Sequence, residues 1–438
     1  MLELFFEFWR LNDPNVVWVL TGSVLLGSSA GAIGCFAFLR KRSLTGDALA
    51  HAALPGVTTA FLLFHSRDPL VLGAGALVSC FIGYFVIEHL IKRTIVKEDS
   101  AFAIVLSLFF AVGIFQLTRI QKTGIASQAG LDKMLFGQAA GMVRDDVKIL
   151  GAVALGLLLF VILSFRQLKS ISFDRQFSQT TGLPVAFFEM LLALSLVLSV
   201  VIGLQLVGVV LMAAVLLTPA AAARYWTNNL AAMVLISGIF GGLAGAFGAN
   251  VSYLAPRMPT GPWMVMGVSA VFLISLLFAP DRGLLARIKR QNRLSRKVHE
   301  ENILRTMYKI GENAGDFSIP VDTGTLLSYR NMALQQMEAA LRRLRRKGLV
   351  EISEGRFTLT ASGLERAKEV TRFHRLWELY LSKRIQIAPD HVHDEAEEIE
   401  HILTPDLEAL LLQELGSPIE DPHGRVIPKA AAAEGEHK

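Results

Sequence analysis

Asp47 and His51 are the first residues of this chain whose types and spacing could do chemistry. They lie four apart, so a helix places the carboxylate and the imidazole on one face. The string around them, Gly46-Asp47-Ala48-Leu49-Ala50-His51-Ala52-Ala53-Leu54-Pro55-Gly56, is otherwise apolar or small. Carboxylate plus imidazole suits Mn, Fe or Zn better than Mg or an organic substrate. Ionisable residues in an apolar helix are costly and mark a site or a path. The competing reading is that Asp47 caps the helix and His51 only packs. Pro55-Gly56 should kink the helix just beyond and free backbone groups to line a cavity. A second concentration lies near the other end of the chain. His374 and Glu378 are again four apart, and His393-Asp394-Glu395-Ala396-Glu397-Glu398-Ile399-Glu400-His401 sets His393, Glu397, Glu400 and His401 within about two helical turns. Imidazole and carboxylate without cysteine favour Mn(II) or Fe(II) over a structural Zn(II), with Zn(II) still open. Either string alone reads equally as an acidic surface helix with incidental histidines; together they weigh against that.

The elements that must hold these residues follow from hydropathy. The chain changes solvent near residue 281: roughly 280 residues of near-continuous apolar segments precede it, and roughly 160 charged, helix-forming residues follow. With 52% hydrophobic and 18% charged residues, the chain is too apolar to be soluble throughout. A net charge of +5 implies no global polyelectrolyte role. Cys35 and Cys80 fall inside apolar runs, where a buried thiol is expected rather than a disulfide framework. The start, Met1 to Arg10, carries acids where a signal peptide has a basic region, and it reads as a short interfacial helix with an aromatic face.

Nine stretches are long enough to cross a bilayer, about 16–39, 46–65, 70–91, 101–118, 148–165, 184–203, 205–223, 230–249 and 262–280. Arg40-Lys41-Arg42, Lys92-Arg93 with Lys97, Arg166 with Lys169 and Arg175, and Arg224 all fall on one side if the N-terminus is outside. Nine crossings then bring the C-terminus into the cytoplasm, in agreement with the basic junction that runs from Arg282 to Lys297. The segment 119–147 breaks the pattern, with Arg119, Lys122, Lys133 and Arg144 outside; a re-entrant or surface-lying element fits it. Spans rich in small residues, such as Gly22, Gly27, Gly31, Gly34, Gly241, Gly242, Gly245 and Gly248, predict close helix packing in lipid.

Beyond a basic linker at 281–297, residues 298–362 read as helix, helix, helix and hairpin. Leu334, Met337, Leu341 and Leu344 mark a buried helical face, Gly348 a C-cap, and Ser353-Glu354-Gly355 a turn between two short strands. That order is a winged helix-turn-helix, whose second helix enters the major groove of operator DNA. Arg330, Gln335 and Gln336 are the candidates for base edges, and Arg342, Arg343, Arg345, Arg346 and Arg356 for phosphate. The competing reading of the arginine run is a solvated face or a contact with membrane lipid. Residues 363–428 form a helical metal-binding domain in this reading, and 429–438 a frayed, disordered tail.

The Gly46–Gly56 string resembles the signature of the manganese/zinc/iron permease family of ABC importers, and the resemblance extends over about 15–280. It implies a role for Asp47 and His51 in the metal path, a separate ATP-binding subunit, an extracytoplasmic metal-binding protein, and a second permease chain. Phe173-Asp174-Arg175-Gln176-Phe177-Ser178-Gln179-Thr180-Thr181-Gly182 resembles that family's coupling helix, which assigns Phe173, Asp174, Phe177 and Gly182 to docking on the ATPase; the bland reading is an interfacial loop. Residues 298–428 resemble the diphtheria-toxin-repressor-like metal-dependent regulators, most closely at His374-Arg375-Leu376-x-Glu378, His393-Asp394-Glu395-Ala396, Glu400-His401 and Pro422-His423-Gly424-x3-Pro428. The resemblance implies metal ligation by His374, Glu378, His393, Glu397, Glu400 and His401, dimerisation and operator binding; Glu at 397 is similar to the manganese-sensing members. The chain departs in its first helix, where Asn302 and Arg305 stand at positions that hold acids in those members, unless a slipped register brings in Glu300 or Glu301.

No Gly-x-x-x-x-Gly-Lys-Ser/Thr loop occurs, so ATP hydrolysis is expected on another chain and this one is not an enzyme. The expectation is an α-helical polytopic protein of the plasma membrane with a cytoplasmic winged-helix and metal-binding domain: a transition-metal permease fused to a metal-responsive repressor. The open alternative is a C-terminal metal gate on transport that binds no DNA.

Overall fold

The computed structural model describes residues 2–40, 44–66, 68–122, 142, 144–254, 258–330, 332–385, 405–416 and 418–429. The chain divides into two compact units, Met1–Arg287 and Ile288–Lys438.

In the first unit a short helix, α1 (Leu2–Trp9), precedes nine helices long and apolar enough to span a bilayer among the described residues. In order they are α2 (Pro14–Leu39), α3 (Leu44–Phe64), α4 (Pro69–Arg93), α5 (Glu98–Lys122), α6 (Arg144–Leu163), α9 (Val185–Leu206), α10 (Val209–Trp226), α11 (Leu230–Leu254) and α12 (Thr260–Phe278). Two short helices, α7 (Phe165–Phe173) and α8 (Arg175–Thr180), lie between α6 and α9. Asp13 and Asp68 cap α2 and α4 by accepting from the N–H groups two residues on, each with proline at the first helical position. Gly208, at φ +91°, makes the break between α9 and α10. The expected aromatic face of α1 is split: Phe8 is buried against Tyr253, while Phe6 and Trp9 are exposed.

Lipid offers no hydrophobic drive to press one apolar helix on another, so close backbone approach must hold the bundle. α2 meets α11 where Gly27 and Gly241 face each other: a Cβ built on Gly27 would lie 2.1 Å from the Gly241 carbonyl oxygen. α3 meets α4 in the same way at Gly56 and Gly75. The Thr58 hydroxyl donates to Gln116 Oε1 at 2.5 Å, tying α3 to α5. As a result α3, the helix of Asp47 and His51, is the most enclosed span, with 67% of its apolar window buried against 22% for α12.

From Leu284 on, the stretch read as a linker is helical. α13 runs from Leu284 to Ala314 without a break, because no proline occurs in it and its only glycine is Gly311. α14 (Thr323–Tyr329) and α15 (Leu334–Arg346) follow, then an antiparallel hairpin of β1 (Val350–Ser353) and β2 (Arg356–Leu359) in the register Val350↔Leu359. Glu354 and Gly355, both at positive φ, form the two-residue turn that hairpin twist requires. Gly348, at φ +68°, ends α15: its N–H donates to the Arg345 carbonyl, and the Leu349 N–H to that of Leu344. Ile303, Leu304 and Met307 of α13 pack with Met337, Leu341 and Leu344 of α15 in the core; Leu334, at the first position of α15, is exposed instead. α16 (Ala361–Tyr380), capped by Thr360, continues into one π-helical turn, Leu381–Ile385, and α17 (Pro405–Leu415) packs on α16.

Candidate functional site

In the membrane unit, helical geometry places His51 Nε2 3.5 Å from Asp47 Oδ1. The imidazole is enclosed, its side chain 12% exposed, and meets the ring of Phe110 edge-on at 4.7 Å between centroids. Its Nδ1 is buried with no hydrogen-bond partner among the described residues. A buried polar atom left unpaired costs about 1–3 kcal/mol, so its presence asks for a partner that comes and goes. Pro55 has no N–H to donate to the carbonyl four residues back, so the His51 carbonyl lacks its usual helical donor. One turn of α3 thus presents an imidazole nitrogen, a carboxylate and a backbone carbonyl, the donor types that a borderline divalent cation accepts. No group of three or more His, Cys, Asp or Glu side chains converges among the described residues, so Asp47 and His51 would form part of a path rather than a cage.

Asp174 caps α8, its Oδ1 accepting from the Phe177 N–H at 2.8 Å, and Gly182 closes the turn at φ +80°. Phe173 and Phe177 are 65% and 60% exposed in a polar segment, where such rings otherwise seek cover. Glu189 of α9 receives Arg40 and Arg175, which pins this corner to the bundle.

In the second unit the DNA candidates separate by what they touch. Gln335, Gln336, Arg345, Arg346 and Arg356 are exposed, and Arg342 pairs only loosely with Glu338 at 3.7 Å. Arg343 instead turns back to Glu300 at 2.7 Å, with Lys347 on the same carboxylate at 2.5 Å. Arg330 donates from Nε to the Thr306 hydroxyl at 3.2 Å and lines a partly open cavity, away from the exposed row on α15.

That cavity, about 410 Å³, adjoins His374 and Glu378. The slipped register is settled by contacts: Glu300 is held by Arg343 and Lys347, and buried Glu301 by Arg366 at 2.6 Å, so neither faces His374. Arg305 does. Its guanidinium lies 2.5 Å from His374 Nδ1, while His374 Nε2 lies 2.9 Å from Glu378 Oε1. Arg305, Lys309, Arg330, Arg375 and Arg425 line the cavity against two carboxylates, Glu378 and Asp421. Burial first, and then Arg425, Arg305 and Arg330, hold the Lys309 ammonium below its ordinary value. Asn302 Oδ1 is buried without a partner among the described residues, a neutral oxygen where a carboxylate would be needed. The described residues at this pair therefore do not fit a metal dication. His393, Glu397, Glu400 and His401 lie outside the described residues. The Arg305–His374 contact was not predictable from spacing; only the departure of Arg305 from the acidic pattern pointed to it.

Comparison with known proteins agrees with both halves of the chain. The ABC 3 transport family matches residues 12–279, and the metal binding and dimerisation domain of the iron dependent repressors matches 360–429. The manganese transport system membrane protein MntC of Bacillus subtilis is 41% identical over 387 residues, 88% of each chain, so the alignment runs well beyond the membrane unit. The zinc transport system membrane protein TroC of Treponema pallidum is 40% identical over 65% of this chain and 95% of its own. The structure of PsaBC from Streptococcus pneumoniae in complex with Fab superposes with a TM-score of 0.57 at 33% identity, covering 64% of this chain and 98% of that one. With its nine apolar helices and this match, the chain belongs to the ABC 3 transport family, as a multi-pass metal-importer permease that carries a repressor-like C-terminal domain.

Proposed function

We propose that this chain is the permease subunit of an importer for Mn(II), and that its second unit binds operator DNA from the cytoplasmic face of the membrane. The observation that carries the transport reading is the buried, unpartnered Nδ1 of His51, whose Nε2 faces Asp47, on the most enclosed span. Manganese is favoured because a relative 41% identical over 88% of both chains is named for it, and because imidazole with carboxylate and carbonyl oxygen suits Mn(II). ATP is hydrolysed by a separate subunit, for which the exposed Phe173 and Phe177 offer the docking surface. An extracytoplasmic protein delivers the ion, and a second permease chain completes the path. Lys and Arg in the loops favour a cytoplasmic C-terminal unit, where its wing and the exposed Gln335, Gln336, Arg345 and Arg346 suit a DNA groove.

Uptake of Mn(II) by cells that co-express the chain with its ATP-binding subunit tests the first half. Asp47→Asn and His51→Gln should each lower uptake about tenfold or more at equal membrane abundance. Wild-type uptake in both variants would remove these residues from the path, and Zn(II) uptake without Mn(II) uptake would change the cargo. For the second half, the full chain in detergent should bind the upstream region of its own operon with a steep salt dependence. A unit that altered uptake but bound no DNA would be a gate on transport.

A further inference from the structure

The repressor-type domain implies a metal at the His374–Glu378 pair, yet the described side chains around that pair do not fit one. We propose that Arg305 is a built-in cation standing where a metal would bind, so that this pair joins α13 to α16 with no metal at all. The inference goes beyond the transport and DNA-binding readings and is independent of which ion the membrane unit carries.

A guanidinium has donors and no lone pair, so the contact from Arg305 makes His374 Nδ1 the acceptor. The ring proton then sits on Nε2, 2.9 Å from Glu378 Oε1. Nδ1 is thereby taken by the guanidinium, whereas a metal at that position needs its lone pair. Capturing an ion here would mean expelling a permanently charged group from beside a histidine whose side chain is 9% exposed and a glutamate whose side chain is 1% exposed. The surroundings oppose it further. Lys309, Arg330 and Arg425 line the same cavity, so a dication would enter a region already rich in positive charge. The carboxylates that might have balanced it from α13, Glu300 and Glu301, are turned to Arg343, Lys347 and Arg366. In mechanical terms, Arg305 gives the α13–α16 junction a cation of fixed position and fixed charge, where a metal would give a cation that depends on supply.

The test counts Mn(II) bound to the purified full chain in detergent by equilibrium dialysis, with tryptic protection of the C-terminal unit as a second readout. His374→Asn keeps an acceptor near the Nδ1 position and so keeps the Arg305 contact. Wild type and His374→Asn should bind equal amounts of Mn(II), with tryptic protection the same in Mn(II) and in chelator. Arg305→Glu, which restores an acid beside His374, should bind one more Mn(II) per chain, and this gain should vanish in the Arg305→Glu, His374→Asn double variant. A wild type that loses one Mn(II), or about tenfold in affinity, on His374→Asn overturns the proposal. So does an Arg305→Glu chain that folds and gains no ion. If Arg305→Glu does not fold, the comparison of wild type with His374→Asn decides alone.

Discussion

Gly56 offers the sharpest quantitative test of how the membrane unit holds its metal helix. A Cβ at this position would lie 2.1 Å from the Gly75 carbonyl oxygen and 2.6 Å from Ser79 Cβ. A carbon and a carbonyl oxygen rest at about 3.3 Å, so Gly56→Ala requires α3 and α4 to part by about 1.2 Å. Backbone, unlike the tip of a side chain, cannot swing aside, so the cost should reach the upper part of the range of about 1–3 kcal/mol seen for overpacked interiors. The obstruction is mutual: a Cβ on Gly75 would meet the Gly56 carbonyl oxygen at 2.5 Å. One separation relieves both, so Gly56→Ala with Gly75→Ala should cost clearly less than the two single variants together. Gly156 of α6 is the control, because nothing lies within 4 Å of its Cβ position and alanine there should be neutral or slightly stabilising. The assay is the thermal midpoint of the purified chain in detergent, with Mn(II) uptake alongside, since parting α3 from α4 displaces the helix one turn beyond His51. A Gly56→Ala midpoint equal to those of wild type and Gly156→Ala would refute the close-approach argument. Strict additivity of the two variants would refute the shared cause.

Four further expectations address the other sites. Phe173→Glu and Phe177→Glu should each weaken co-purification with the ATP-binding subunit by about 2 kcal/mol or more, the scale of a buried aromatic anchor; undiminished retention would leave the two rings as interfacial side chains. On operator DNA, Arg345→Ala and Arg346→Ala should each flatten the salt slope by about 0.9 if each meets one phosphate. Arg343→Ala should lower the stability of the C-terminal unit instead, since its guanidinium serves Glu300, and a loss of salt slope without loss of stability would reverse that assignment. Burial, and then the Arg343 charge, hold the His299 imidazole below its ordinary value of 6.5. The unfolded chain then takes up this proton first, so the contribution is whole above about pH 6.5 and is lost as pH falls through the folded value. Replacing His299 with Gln should flatten that acid limb of C-terminal-unit stability, and an unchanged limb would show that another group titrates.

Much of this architecture was legible in the order of residues alone. Crossing a bilayer demands length and apolarity, both local properties, so nine spans could be counted before any contact was known. The hairpin and its helix end were equally local: Gly355 and Gly348 adopt backbone angles that few other residues tolerate. The i, i+4 spacing likewise placed Asp47 beside His51, and His374 beside Glu378, because a helix leaves no choice. The helical linker was local too, since no proline or glycine lies between Leu284 and Lys297. Two other features belonged to tertiary structure. Arg343 and Arg330 left the row of exposed cations because partners distant in sequence, Glu300 and Thr306, took them up. Arg305 reached His374 across 69 residues of chain. Spacing predicts neighbours only within one element; which charge meets which across two helices depends on how their faces pack, and here that packing set an arginine where the family pattern has an acid.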